Sequence, residues 1–144
     1  MPFWIRAHCR PPLSYLSGFW LLITLLLLSS GPTYAEWVEI GRTDNATVYI
    51  DTDTILRKGE LVKMWSLYDF KTVQYVVGIP LLSSKEQNEY DCAMERLRGL
   101  AMAEFTGNLG TGTMVYTGPL EGTWIPVGLQ GVDQALWRFA CDKK

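Results

Sequence analysis

From Trp37 onward, apolar and polar residues alternate in short runs separated by Gly, Pro, Asn and Asp. Alternation at period two marks a half-buried strand. Residues 37–41 form a first short run, and Gly41-Arg42-Thr43-Asp44-Asn45 reads as a turn. Residues 47–51 place Val48 and Ile50 on one face and Tyr49 on the other. Lys58-Gly59-Glu60 is a second turn. Residues 61–70 make the longest strand candidate, with Val62 and Met64 on one face and Leu61, Trp65 and Leu67 on the other. A strand apolar on both faces is central or covered. A further run at 72–77 stops at Gly78-Ile79-Pro80. The glycine-rich segment 107–112 predicts a hairpin connection, because it has neither the Lys-Ser/Thr ending nor the following helix of a phosphate loop. Residues 113–117 read as another strand, stopped by Gly118-Pro119.

The period changes after Trp124-Ile125-Pro126. On a helical wheel Leu136, Trp137, Phe139, Ala140 and Cys141 share a broad arc, with Gln134 and Arg138 opposite, so a C-terminal helix is expected to lie on the sheet. Residues 89–105 are ambiguous. Ala93 to Arg98 and Leu100 to Glu104 are good helix formers, which favours helix. Gly99 between them weakens that reading, and one bent strand or two strands fit the same residues.

The first 35 residues have a different character. Arg6 and Arg10 precede the apolar run from Phe19 to Leu28, Ser29-Ser30-Gly31-Pro32 breaks it, and Thr33-Tyr34-Ala35 ends it with small residues. That order predicts a signal peptide over residues 1–35, cleaved between Ala35 and Glu36. The alternative is an uncleaved anchor, but the run is short of the roughly 20 apolar residues of a spanning helix. No transmembrane span is expected after cleavage. Cleavage takes 35 of the 144 residues and leaves a single domain of 109, residues 36–144. Loss of Arg6 and Arg10 moves the formal charge from −2 to −4. No basic stripe remains to neutralise phosphates, so no nucleic-acid partner is expected.

Of the three cysteines, Cys9 falls in the leader, and Cys92 and Cys141 remain. In an oxidising compartment that pair reads as one disulfide fastening the last helix to the middle of the chain, the alternative being two buried thiols. His8, the only histidine, leaves with the leader. Histidine-dependent triads and metal sites are thereby excluded from the processed chain. Ser66, Ser83 and Ser84 lie in no G-x-S-x-G elbow. Asp51-Thr52-Asp53 begins like a calcium loop but fails at Ile55, and reads as a strand end and turn cap. Asn45-Ala46-Thr47 has the form of a glycosylation sequon and is better explained as a turn. Trp37, Trp65, Trp124 and Trp137 suit an interface but each reads more readily as core. Arg96 and Arg98 share a strand face if the region is extended, there to grip a carboxylate or polyanion or to face solvent in ion pairs. No catalytic, cofactor-binding or metal residue is expected.

Trp37, Tyr49-Ile50-Asp51, Trp65, Glu89-Tyr90-Asp91-Cys92, Arg96-x-Arg98, Gly110-x-Gly112, Trp124-x-Pro126 and the final Cys141 together resemble the bacterial surface-adhesin protein E-like family. The resemblance spans nearly all of residues 36–144, and the E-Y-D-C segment with its distal cysteine is its most specific part. It implies an α+β fold: a single antiparallel sheet of about six strands, with a C-terminal helix on one face tethered by the disulfide. It therefore favours strand for residues 89–105. It also implies adhesion to host matrix or serum proteins and homodimerisation. No cysteine stands at the cleavage site, so a lipid anchor is not indicated, and a periplasmic, secreted or cell-surface location is expected. No binding residue transfers from the family. Three readings follow: an exported binding module for a host or envelope protein; an accessory envelope protein without its own ligand; or a small carboxylate- or metal-dependent enzyme.

Overall fold

The computed structural model describes residues 36–142. The leader, Ala35 of the expected cleavage site and the last two lysines lie outside the described residues. The strands are β1 (Trp37–Arg42), β2 (Ala46–Lys58), β3 (Leu61–Val76), β4 (Ile79–Asp91), β5 (Arg96–Phe105), β6 (Met114–Pro119) and β7 (Ile125–Pro126), and the helix α1 is Val132–Asp142. Strands β1 to β6 lie in sequence order, each antiparallel to the next, and β7 pairs with the start of β5. Each connection from β1 through β6 is therefore a hairpin, as expected where short turns follow period-two runs.

The turns follow local chemistry. Gly59 sits at a φ of 62° between the paired Lys58 and Leu61. The connection from β5 to β6 contains a short 3-10 turn, Asn108–Gly110, at the predicted glycine-rich segment. Residues 72–77 are not a separate strand: β3 runs through them to Val76, with a register irregularity between Asp69 and Gln74.

Propensity is overruled at residues 89–105. The segment finishes β4, turns over Cys92 to Glu95, and returns as β5. Its alternation has a use that a helix would lose: Tyr90 and Leu97 face the core, while Glu89, Arg96 and Arg98 face away. Burial of Tyr90 and Leu97 against neighbouring strands outweighs the few tenths of a kcal/mol per residue that propensity offers.

The core lies between one sheet face and α1. Val48, Ile50, Val62, Met64, Tyr90 and Leu97 meet Leu136, Ala140 and Cys141, with Ile40, Tyr68, Trp137 and Phe139 at the margin. The arc read from the helical wheel is the buried one. Cys92 and Cys141 form the disulfide, with their Cα atoms 5.5 Å apart. Two polar contacts help seat the helix. Arg57 Nη2 donates to the carbonyl of Ala140 at 2.6 Å, and Trp137 Nε1 donates to the carbonyl of Asp91 at 3.2 Å. A cation at the last turn also complements the helix dipole.

Candidate interaction face

The E-Y-D-C segment divides its work by strand alternation. Tyr90 is in the core, where burial pushes its phenol pKa well above the usual value. Cys92 holds the helix. Asp91 organises the turn into β5: its Oδ1 accepts from the backbone N–H of Ala93 at 3.2 Å and of Met94 at 3.1 Å. Its Oδ2 accepts from Arg96 Nε at 2.9 Å. Desolvation pushes the Asp91 carboxyl up, but the Met94 and Ala93 amides and the Arg96 guanidinium outweigh it, leaving the pKa below the usual carboxylate range. Glu89 turns to the face that α1 leaves uncovered. It accepts from Arg98 Nε at 2.7 Å and lies 3.5 Å from Lys63 Nζ.

These ion pairs belong to cross-strand rows. Lys63, Glu89 and Arg98 stand opposite one another across β3, β4 and β5, and Leu61, Asp91 and Arg96 form the adjacent row. The heights of the charges differ. Glu89 and Asp91 side chains are 5% and 8% exposed, whereas Lys63, Arg96 and Arg98 are 45%, 39% and 36% exposed. The anions are thus sunk at sheet level and the cations rise to solvent, so an acidic domain presents a locally basic strip. A shallow cavity of about 350 Å³ continues it, lined by Leu56, Arg57, Lys58, Leu61, Lys63 and Glu89.

Tryptophan interleaves with these cations. The Arg96 and Arg98 guanidinium carbons lie 4.7 and 4.6 Å from the Trp124 ring centroid. Farther along the face, Lys85 Nζ is 5.3 Å from the Trp37 ring and 5.2 Å from that of Phe105. Trp65 stands between Asp51 of β2 and Gln87 of β4 on the same face. The segment bringing Trp124 back over β5 depends on two glycines. A Cβ on Gly122 would meet the Gly99 carbonyl oxygen 2.0 Å away, and one on Gly99 would meet Leu120 Cδ1 at 2.9 Å. Gly99, which argued weakly against a helix, is here a site of close approach to the backbone.

The structure places the residues singled out in the sequence. None of the four tryptophans is fully buried: Trp37, Trp65 and Trp124 are on or over the uncovered face, and only Trp137 packs at the core margin. Arg96 and Arg98 do share a face, but they grip the chain's own Asp91 and Glu89. Asp51 and Asp53 are a local turn, with Asp51 Oδ1 accepting from the Asp53 amide at 3.1 Å, at an irregularity in the pairing of β2. Asn45 lies in the turn after β1. Ser66 and Ser83 hydroxyls donate to the carbonyls of Glu86 and Gly107. Among the described residues no group of three or more Cys, Asp and Glu is placed to hold a metal ion. Also among them, no helix is long and apolar enough to cross a membrane. Of the expected cleavage pair, Glu36 is exposed just before β1 and Ala35 lies outside the described residues. The stack of Trp124 on two arginines was not anticipated; the Arg-x-Arg spacing signals the arginines' common face, but nothing local signals Trp124's return.

Solved structures share this architecture. A crystal form of Haemophilus influenzae protein E is 13% identical with a TM-score of 0.63, covering 76% of this chain and 90% of that one. Protein E from non-typeable Haemophilus influenzae is 14% identical with a TM-score of 0.59, covering 77% and 80%. At such identities the likeness establishes the fold. Among proteins with curated descriptions, none matches the chain by sequence. The sequence itself matches the surface-adhesin protein E family over residues 37–142, nearly all of the sheet and helix described above; with the meander, the tethered helix and the E-Y-D-C segment in place, the chain belongs to that family.

Proposed function

We propose that the chain is an exported, non-catalytic binding module that recognises a protein partner through the uncovered sheet face. The observation that carries this is the strip of solvent-raised cations around Trp124, above buried carboxylates. Arginine and tryptophan are the residues most often found at the energetic centre of protein interfaces. A pre-paired guanidinium on an aromatic platform loses little side-chain freedom when a partner carboxylate docks, which lowers the cost of association. Family membership supports adhesion to a host matrix or serum protein, with an envelope protein as the other partner class and homodimerisation as an assembly expectation. Export with cleavage between Ala35 and Glu36 to a periplasmic, secreted or cell-surface location rests on the leader pattern. The absence of histidine after Ala35 and the bridging of both remaining cysteines support a non-catalytic role.

The test is binding of the processed protein to immobilised matrix proteins, serum proteins and envelope extracts, with Trp124→Ala and Lys63→Glu compared with wild type. We expect both variants to weaken the principal interaction by about tenfold or more while remaining folded, with native circular dichroism, at the assay temperature. The Lys63→Glu effect should shrink as salt rises. Unchanged binding in both variants would remove this face as the recognition surface. N-terminal sequencing of the same material reads the cleavage site.

A further inference from the structure

The paired ends of β3 and β4 extend past their neighbours. Pairing of β3 with β2 ends at Phe70, and pairing of β4 with β5 ends at Ser83. Beyond these points the hairpin continues through Gln74–Leu81, Tyr75–Pro80 and Val76–Ile79, at the opposite end of β3 and β4 from the disulfide. The 3-10 turn braces its base: Asn108 Nδ2 and the Leu109 amide donate to Asp69 Oδ1 at 3.1 and 2.7 Å, and the Gly110 amide donates to Ser83 Oγ at 2.9 Å.

This finger is apolar and exposed. Val77 is 97% exposed, Tyr75 72%, Val76 44%, and Val73 and Ile79 42% each. Tyr116 on β6 extends the patch, and Val76, Val77, Ile79, Val115 and Tyr116 line a cleft of about 160 Å³ that Glu104 also borders. No charged residue occurs from Thr72 to Ser84, in a chain that is 19% charged. The nearest charges along the chain, Lys71 and Lys85, are engaged with the Thr43 carbonyl and with the Trp37 and Phe105 rings. The tip is also held in an unfavourable way. Val77 has a φ of 51°, the left-handed region that a β-branched residue rarely adopts and that Asn or Gly would fill at lower cost. The folded chain gains no burial from this valine.

We propose that the finger is a membrane-contact element that places its tip in the apolar boundary of a phospholipid bilayer. A bilayer is the occupant that fits each feature. It penalises charge, and the finger has none. It penalises unpaired backbone: the cross-strand bonds satisfy the inward-facing groups, Pro80, one position beyond the turn-closing pair, removes one outward N–H, and shallow insertion of the tip leaves the remaining outward groups at the hydrated headgroup level. Tyrosine suits the headgroup level, where Tyr75 and Tyr116 would sit as the valines enter. Burial in that phase supplies the gain that Val77 lacks in the folded chain. Glu104 limits the contact to the tip and cleft rim. The inference concerns a surface at the other end of the sheet from the basic rows and stands independently of the proposed protein partner.

The test is flotation of the purified protein with phosphatidylcholine vesicles, and with vesicles that also contain phosphatidylglycerol, at low and high salt. Wild type is expected to float with both, with little salt dependence. Val77→Asp should bind at least about tenfold more weakly, since one buried valine is worth about a decade of affinity. Val77→Asn supplies the fold control: it suits the left-handed turn, so it should keep or raise the thermal midpoint while weakening vesicle binding. Failure of wild type to float, or equal flotation of wild type and both variants, overturns the proposal. A concentration-dependent dimer that Val77→Asp abolishes, without vesicle binding, overturns it in favour of a second copy as the occupant.

Discussion

Removing the disulfide with Cys92→Ala and Cys141→Ala is expected to lower the stability of the domain by about 4 kcal/mol. The bridge closes a loop across a sequence separation of 49 residues. Loop-closure entropy for about 50 residues amounts to roughly 14 cal/mol/K, or about 4 kcal/mol at 25 °C. A domain of this size has a total stability of about 5–15 kcal/mol, so the loss is a large fraction of it. The native fold should survive, because the helix has other attachments: the buried Leu136 and Ala140, the Arg57 bond to the Ala140 carbonyl and the Trp137 bond to the Asp91 carbonyl. At about 4–8 °C per kcal/mol, the thermal midpoint should fall by roughly 15–30 °C. Thermal and urea denaturation followed by circular dichroism measure the effect, and the urea slope checks that the unfolded reference is comparable. Wild type in reductant should behave like the double variant. A midpoint within a few degrees of wild type at unchanged slope would refute the tether as a main source of stability.

Leu136→Ala empties the centre of the helix–sheet contact, where Leu136 is 1% exposed, and should cost about 2–5 kcal/mol in urea unfolding. Arg98→Ala strips the main partner from a buried carboxylate and should cost about 1–3 kcal/mol; combining it with Glu89→Gln should recover part of that loss, and full additivity would contradict the pairing. For Glu86, burial pushes the carboxyl pKa up, Asn88 opposes this by hydrogen bonding, and the nearby Asp133 and Glu104 push it further up. The folded state therefore binds this proton more tightly than the unfolded chain, and the associated stability, full below the unfolded pKa, is lost as pH rises through the folded one. Glu86→Gln should then be more stable than wild type at neutral pH, with the difference vanishing in acid; a pH series of thermal midpoints reads the crossover. Gly122→Ala would drive a Cβ into the Gly99 carbonyl, so it should shift the segment carrying Trp124 and change tryptophan fluorescence, at a cost of about 1–3 kcal/mol in urea unfolding.

The sequence alone determined what depends on near neighbours. Alternation placed Val48 and Ile50 opposite Tyr49, the Gly59 turn set the pairing of β2 with β3, and the wheel of α1 put Leu136, Ala140 and Cys141 on one arc; in each case the information lies within a few residues, because strand and helix periods are local. The cysteine count determined the bridge for a similar reason, since two thiols in one oxidised domain have only one pairing. Tertiary structure decided whatever depends on a distant partner. Residues 89–105 are strand because Tyr90 and Leu97 find an apolar layer supplied by β2, β3 and α1, which propensity does not see. Helix α1 covers one side of the sheet and not the other, and that choice placed Trp37, Trp65 and Trp124 half-buried on the side away from the core. The basic strip arises from the depth at which each charge sits, short carboxylates at sheet level and longer cations above them, a difference in height that a linear order of residues does not contain.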